Sequence, residues 1–341
     1  MFVIISLSKH MFGGVKMTIG PVFDSQEELA DSFHTSLEQF KRHFNKEESC
    51  VEALYTAKWP NGYRCPRCSF SQCYTIRRRR LPIYECGSCG HQTSLTVNTI
   101  FEKSRTPLTL WFQAVYLHTQ IPAISAINLM HLIGTTYKTA WLISHKIRHA
   151  MTQSDSGKRL SGLVKINCAQ YGRPYNPTIY RHPQEHPLLV GASLSLEGSL
   201  THLKIKQVPN EHLVEDRVTP LGRDAFIYDH VDSRKSMVTS NILKFSPMRD
   251  RQLLSVAKHA SLWINSTYCG IGAKHLQAYL DHYCYLRNHN SPFSVHLSRC
   301  ASASVCTYKM LIGKPDTGVV PRPITLIYPQ LLNKTPYLVS C

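Results

Sequence analysis

Apolar residues in the first part of the chain are spaced as they are in helices. Leu37, Phe40 and Phe44 recur every three to four residues within 35–57, which predicts one or two short helices. The sequence Trp59-Pro60-Asn61-Gly62 then ends this pattern with a turn.

Residues 107–151 return to helical spacing, and 121–151 within them predict a helix-turn-helix unit. Gly134 supplies the turn, and Thr135-Thr136 can cap the helix that follows. The predicted apolar stripe of the first helix is Ile121, Ile124, Ile127 and Met130. The predicted packed face of the second helix is Tyr137, Trp141, Ser144 and Ile147. An ordinary helical hairpin fits the same periodicity.

The chain changes to strand-like patterns after a linker flanked by Gly157 and Gly162. The predicted strands are 163–168, 188–196 and 200–208, the last two joined by a hairpin turn at Glu197-Gly198. Helical spacing returns over 248–264 and 273–288, whereas five prolines leave the final fifty residues ambiguous.

Charge narrows the choice of partners. The 39 Lys and Arg residues against 22 Asp and Glu residues give a formal net charge of +17. A surplus of this size points to a polyanion, with nucleic acid ahead of an acidic membrane surface. A membrane surface is the weaker hypothesis, because the sequence lacks a basic amphipathic helix with bulky apolar anchors. No run of residues approaches the ~18–20 apolar residues of a membrane span.

Four of the twelve cysteines form two CxxC pairs, Cys65-Pro66-Arg67-Cys68 and Cys86-Gly87-Ser88-Cys89, with seventeen residues between them. Each CxxC turn aims two thiolates at one ion, and zinc prefers four such ligands in a tetrahedron. The spacing therefore predicts a zinc ribbon holding a structural Zn²⁺. Cys73 and His91 lie nearby without paired spacing, and unrelated buried cysteines are the alternative.

Basic residues near these motifs are the predicted DNA contacts. The run Arg77-Arg78-Arg79-Arg80 lies between the two CxxC pairs, and alternation along a strand would send its side chains to opposite faces. A solvated charged surface is the plainer explanation of such a run. The complete predicted set is Arg77, Arg78, Arg79, Arg80, Lys138, Lys146 and Arg148. The histidines of 181–187 read as a polar loop, because two prolines prevent a helix that would align His182 with His186.

Several of these stretches together resemble a bacterial insertion-sequence transposase with an N-terminal zinc ribbon and a DDE catalytic domain. The resemblance covers about residues 35–290. The matching stretches are 59–68 with the second CxxC, 103–108 before Trp111-Phe112, 137–141, 145–148, 263–270 and 274–281. It implies a ribonuclease-H-like fold for 160–290, double-stranded DNA at the element ends as partner, a homo-oligomer as one assembly, and DNA transposition.

Catalysis in the family resembles two-metal phosphoryl transfer, in which carboxylates hold Mg²⁺ ions. Asn167 occupies the position of the first catalytic Asp, and Ser240, in the run 238–241, stands for the second. A neutral side chain anchors Mg²⁺ poorly, so we expect impaired catalysis, with Mg²⁺ bound only if the site works. Two alternative functions fit the same sequence. One is a zinc-dependent DNA-binding regulator without enzymatic activity, and the other is an active nuclease that uses Asp224, Asp229 or Asp232.

These inferences predict an α+β multidomain protein, in which a zinc ribbon and a helix-turn-helix-like region precede an α/β ribonuclease-H-like domain. The predicted segments are a disordered leader (1–34, with Met17 as a possible start), N-terminal helices and ribbon (35–100), a helical DNA-binding region (101–155), the ribonuclease-H-like transposase domain (160–290) and a C-terminal extension (291–341). A cytoplasmic, nucleoid-associated protein is expected.

Overall fold

The computed structural model describes residues 36–120, 123–172, 185–214, 217–244 and 246–313. The leader predicted for 1–34 and most of the predicted C-terminal extension lie outside them. The residues up to Val305 form one compact unit. In the second unit, Thr307 caps the short helix α10 (Tyr308–Ile312) through the backbone N–H of Met310.

The N-terminal elements follow the predicted order. Residues 36–43 are helical (α1), and α2 runs over Glu47–Lys58, so the helices predicted within 35–57 are confirmed. A three-stranded antiparallel sheet follows, with β1 at Cys73–Ile76, β2 at Ile83–Cys86 and β3 at Gln92–Ser94.

Three helices connect this small sheet to the larger one: α3 (Leu108–Thr119), α4 (Ala126–Ile133) and α5 (Tyr137–Ser156). Gly134 adopts a positive φ of 64° after α4, and the Thr136 hydroxyl accepts a hydrogen bond from Thr139 N–H, so the predicted turn and cap are confirmed. The predicted apolar stripe is confirmed in part. Ile124 is buried and Met130 packs against the core, while Ile121 lies outside the described residues. Ile127 is 55% exposed, and α4 buries Leu129 and Ile133, because steps of three drift around a helix of 3.6 residues per turn.

The larger sheet contains four strands in the order β6-β5-β4-β9. The strands are β4 (Leu160–Tyr171), β5 (His186–Leu194), β6 (Leu200–Gln207) and β9 (Val231–Asn241). The first three form the predicted antiparallel meander, and β9 lies parallel to β4. Nothing in this arrangement contradicts the expected ribonuclease-H-like domain.

The connection from β6 to β9 packs on one face of the sheet. It contains the short pair β7 (Leu213–Val214) and β8 (Arg217–Val218), then α6 (Pro220–His230). A Cβ at Gly191 would lie 2.8 Å from the Phe226 ring, so glycine in β5 allows α6 to approach closely.

Helices α7 (Arg251–Tyr268) and α8 (Ala273–Asn288) cover the other face, and α9 (Phe293–Ser302) joins the core of the ribbon and α3. Two amides of α8 satisfy the backbone of β6. Asn288 accepts from Leu203 N–H and donates to its carbonyl, and Gln277 does the same with Gln207 N–H and the Ile205 carbonyl. Among the described helices, none combines the length and apolar character needed to span a bilayer.

Candidate metal centre and basic surfaces

Each CxxC pair of the ribbon forms a tight turn with the same hydrogen bonds. Ser69 N–H donates to the Cys65 carbonyl at 2.9 Å, and Gly90 N–H donates to the Cys86 carbonyl at 3.1 Å. Ser69 and Gly90 both have a positive φ, 60° and 66°, which closes each turn. Glycine adopts this conformation readily, whereas Ser69 is an exception among non-glycine residues. Gly90 therefore closes the second turn without backbone strain.

The two turns bring four sulfur atoms together. The Sγ atoms of Cys65, Cys68, Cys86 and Cys89 all lie within 4.8 Å of one another. Two of the separations are 3.6 Å, from Cys65 to Cys89, and 3.5 Å, from Cys68 to Cys86. Tetrahedral zinc with bonds of about 2.3 Å places its sulfurs about 3.8 Å apart, so the four thiols fit a structural zinc ion. Cys73 and His91 are outside this set.

Contacts with α2 anchor the ribbon. The Lys58 ammonium donates to three carbonyls that follow β3, those of Ser94, Leu95 and Val97, at 2.7–3.3 Å. Burial lowers the pKa of Lys58 to about 8, a shift that nearby Glu102 partly opposes. Three backbone acceptors thus compensate for the desolvation of one ammonium, and the ribbon is joined firmly to the helices.

The arginine run lies in the connection between β1 and β2 and not on a strand, which corrects the expected alternation between two faces. All four arginines are exposed. Arg80 also donates to Glu47 at 3.1 Å, and Glu47 accepts from Leu108 N–H at the start of α3. The loop therefore presents Arg77, Arg78 and Arg79 to solvent, and Arg80 links it to the helices.

The three basic residues predicted on α5 have different environments. Lys138 is exposed near the start of the helix. Lys146 is 6% exposed and donates to the carbonyls of Ile100 and Glu102, while Arg148 is 1% exposed. The DNA contacts expected of Lys146 and Arg148 are therefore corrected, because both side chains are buried and neither is exposed for a contact with DNA. The cause is that the second half of α5 is packed nearly all round.

Arg148 joins α5 to α7 and α8. Its guanidinium lies 4.1 Å from the Tyr279 ring centroid and 5.2 Å from that of Tyr268, which are cation–π distances. Burial and then the charge of Arg148 lower the pKa of His282 to about 3, and both also lower the pKa of His118. These histidines are neutral at pH 7, so the helical core contains one stacked cation beside uncharged imidazoles.

The position of the expected catalytic acids lies where β4 and β9 run side by side. The parallel register pairs Asn167 with Asn241, whereas Ser240 pairs with Ile166. Asn241, not Ser240, therefore lies beside Asn167, which corrects the expected alignment. Asn167 is 2% exposed, and its amide donates to the Asp250 carbonyl at 2.9 Å.

The side chain of Asp250 completes this end of the sheet, and the sequence had not singled it out. Asp250 caps α7 by accepting from Gln252 and Leu253 N–H, and its other oxygen lies 2.7 Å from the Lys165 ammonium. Burial by itself raises the pKa of Asp250, but these donors outweigh it and the pKa is lowered. Only folding reveals this contact, because 85 residues separate the partners.

The alternative acids lie elsewhere. Asp232 precedes Asn241 by nine residues of β9, which is about 30 Å at ~3.3 Å per residue. Asp224 pairs with Arg223, and Asp229 borders a cavity of about 100 Å³ with Lys204 and Lys206. In the described ranges, no set of three or more His, Cys, Asp or Glu besides the four ribbon cysteines brings ligand atoms this close. His182 lies outside the described residues, and His186 begins β5.

Comparisons with known proteins agree with this geometry. Residues 45–92 match the transposase zinc-ribbon domain of the IS1595 type. Over 126 residues the chain is 27% identical to the uncharacterized protein in transposable element ISH50 of Halobacterium salinarum. That alignment covers 36% of this chain and 42% of the relative. No solved structure matches. The chain is therefore similar to insertion-sequence proteins, and it carries the zinc-ribbon domain of a transposase.

Proposed function

We propose that this chain is a transposase-like protein of a mobile element that binds double-stranded DNA at the element ends. The ribbon is the observation that supports this most directly, because it combines a transposase-type zinc domain with exposed arginines in a chain of charge +17. We propose that it works in the cytoplasm at the bacterial nucleoid, where the element lies. The proposal also includes a homo-oligomer in which two copies of the chain join the two element ends.

The DNA-binding surface has two parts in this proposal. Arg77, Arg78 and Arg79 contact phosphates, while the exposed start of α5, with Tyr137 and Lys138, reaches base edges. In helix-turn-helix proteins the first residues of the second helix make such contacts, and here they belong to the half of α5 that is not buried. Arg80 contributes its charge and also holds the loop to α2.

Salt dependence tests this proposal. Affinity of the purified full chain for a duplex carrying the element ends should fall steeply with salt, with a slope of about −0.9 per neutralised phosphate in log–log terms. Binding should favour the ends over random duplex if α5 reads bases. Salt-independent or absent binding would overturn the proposal.

The second part of the proposal is that transposition by the usual DDE chemistry is lost. Two-metal catalysis needs anionic ligands that hold both ions against their mutual repulsion. The β4–β9 position offers the amides of Asn167 and Asn241, and the carboxylate of Asp250 beside them already accepts from Lys165. A ribonuclease-H-like architecture is thus proposed to persist without its reaction.

The assay is cleavage and joining of the element ends with Mg²⁺ or Mn²⁺, and no turnover is expected. Turnover that disappears in Asp224→Asn, Asp229→Asn or Asp232→Asn would instead identify an active nuclease with relocated acids. The alternative function is a zinc-dependent DNA-binding regulator, which the lack of a close set of carboxylates among the described residues favours. Tighter binding to promoter DNA than to the element ends would select it.

A further inference from the structure

The carboxyl end of the β4–β9 pair has the position of a ligand site. In open sheets, ligands bind beyond the carboxyl ends of parallel strands, where loops and helix starts converge. Here β9 ends at Asn241, and α7 begins at Arg251 directly above Lys165 and Asn167. A ligand at this end would contact the side chains whose hydrogen-bonding groups are not already used within the protein.

The two amides are turned into the protein. Asn167 Nδ2 donates to the Asp250 carbonyl at 2.9 Å, and Asn241 Nδ2 donates to the Ser246 hydroxyl at 2.8 Å. Asn241 Oδ1 accepts from Leu243 N–H at 3.1 Å. These bonds tie the segment before α7 to the strand ends. Because a carboxylate cannot donate to a carbonyl, the bond from position 167 depends on an amide, whereas the partners of Asn241 include a backbone N–H and a hydroxyl that can donate.

The Lys165 ammonium is the more exposed lysine of this end. Its side chain is 45% exposed and Asp250 is 17% exposed, so the pair lies at the surface with the ammonium on the outside. An ammonium has three N–H donors, and Asp250 accepts from one of them. Lys244, just after β9, is 25% exposed and pairs with the buried Glu185 at 3.7 Å. Arg251 is exposed next to Asp250, so among these described residues the cations outnumber the two carboxylates.

A surface leads toward Lys165 along the same sheet face. Leu163 precedes Lys165 by two residues and so shares its face, and its register partner on β9 is Met237. Leu163 is 41% exposed and Met237 is 71% exposed. Together with Lys235 they border a groove of about 610 Å³. Lys235 adds a positive charge to this groove, and lysines supply contacts to phosphate oxygens.

We infer that this end of the sheet binds a DNA phosphate through the Lys165 ammonium and needs no divalent metal ion. The inference rests on the proposed DNA binding and adds a second, metal-independent contact remote in sequence from the ribbon. A phosphate is favoured over a cation because the amides donate inward and both Asp250 oxygens already accept hydrogen bonds.

The test compares DNA affinity of the full chain in Mg²⁺-free buffer and with added Mg²⁺. Wild-type affinity should not rise when Mg²⁺ is added, since no divalent ion bridges the contact and the added ions only compete with the protein for phosphates. Lys165→Ala should weaken binding about fivefold and reduce the salt slope by about 0.9. Lys165→Arg should retain both. Lys258→Ala, an exposed lysine on α7, is the matched control and should bind like wild type.

The outcomes separate this inference from the proposed function. If wild type binds DNA and Lys165→Ala binds equally well with the same salt slope, only the phosphate site is overturned. If wild type binds no DNA, the proposed function fails as well. With added hydrogen peroxide, bound Fe²⁺ is oxidised to Fe³⁺ and releases hydroxide and a hydroxyl radical that cuts nearby backbone, so cleavage near residues 165–167 would reveal a divalent-ion site and overturn the inference. Thermal unfolding of each variant verifies that it folds.

Discussion

The zinc ribbon and the β4–β9 end are the two places where the sequence resemblance predicts bound metal, yet they present opposite chemistry. The ribbon brings four thiols within 4.8 Å of one another. The β4–β9 end brings together two amides and the ion pair of Lys165 with Asp250, whose two oxygens already accept hydrogen bonds. A metal site requires anionic donors that are still available, so position in a fold does not by itself make one.

The two regions also differ in what keeps them folded. The ribbon has three short strands of three or four residues, too few to stabilise themselves without the metal and their contacts with α2. The β4–β9 end belongs to a four-stranded sheet covered by helices on both faces. Metal removal should therefore affect the first region strongly and the second very little.

The largest expected effect is the loss of zinc from the ribbon. Cys86→Ser should reduce the metal content from about one zinc per chain to none and unfold the ribbon, because structural zinc supplies about 10–16 kcal/mol in small zinc domains. Metal analysis and limited proteolysis measure the two results. Cys73→Ser, which changes a cysteine outside the set, should keep its zinc. A folded, zinc-loaded Cys86→Ser protein would contradict the assignment.

A smaller effect is expected at the β4–β9 end from Asn167→Asp. The carboxylate cannot donate to the Asp250 carbonyl, so the free energy of unfolding should fall by about 1–3 kcal/mol. No Mg²⁺-dependent turnover should appear. Urea denaturation with and without Mg²⁺ measures the change, and Asn128→Asp at an exposed position of α4 is the control. If Mg²⁺ stabilised the Asn167→Asp variant, this one substitution would have created a metal site, and the prediction would be contradicted.

Lowering the pH should affect the ribbon and the β4–β9 end differently, without any mutation. Zinc dissociates as its thiolates are protonated. The pKa of Asp250 is lowered, so its pairing with Lys165 contributes fully above the unfolded-state pKa and is lost only as the pH falls through the lowered value. Between pH 7 and 5 the ribbon should release zinc while Asp250 stays ionised. Zinc release and the Asp250 carboxyl ¹³C shift are the measurements. Protonation of Asp250 above its ordinary pKa would contradict the geometry.

The smallest effects are expected in the arginine loop. Arg78→Ala with Arg79→Ala should weaken DNA binding a few-fold for all sequences alike and lower the salt slope by about 0.9 for each lost phosphate contact. Arg80→Ala should also lower stability by about 0–1 kcal/mol, because Arg80 pairs with Glu47 at the surface. Salt titrations of the variants distinguish the two roles. Salt slopes that stay unchanged in the variants would indicate that the loop is a solvated surface that makes no phosphate contacts.

Local patterns predicted several parts of the fold correctly. The CxxC spacing identified four cysteines that do come together, because a turn of four residues and one hairpin are sufficient to place them. Gly134 and Thr136 marked the α4–α5 turn for the same reason. Prediction failed for Lys146 and Arg148, because the packing of the second half of α5 depends on helices that follow more than a hundred residues later.

The sequence by itself determined the ribbon, the strand meander and the absence of acids at the expected catalytic positions, since spacing, period and residue identity are local properties. Only the tertiary structure decided that Asn241 lies beside Asn167, that Asp250 meets Lys165, and that Arg148 stacks on two tyrosines. Those contacts join residues that are distant along the chain, and their geometry follows from how sheet and helices pack to bury apolar surface.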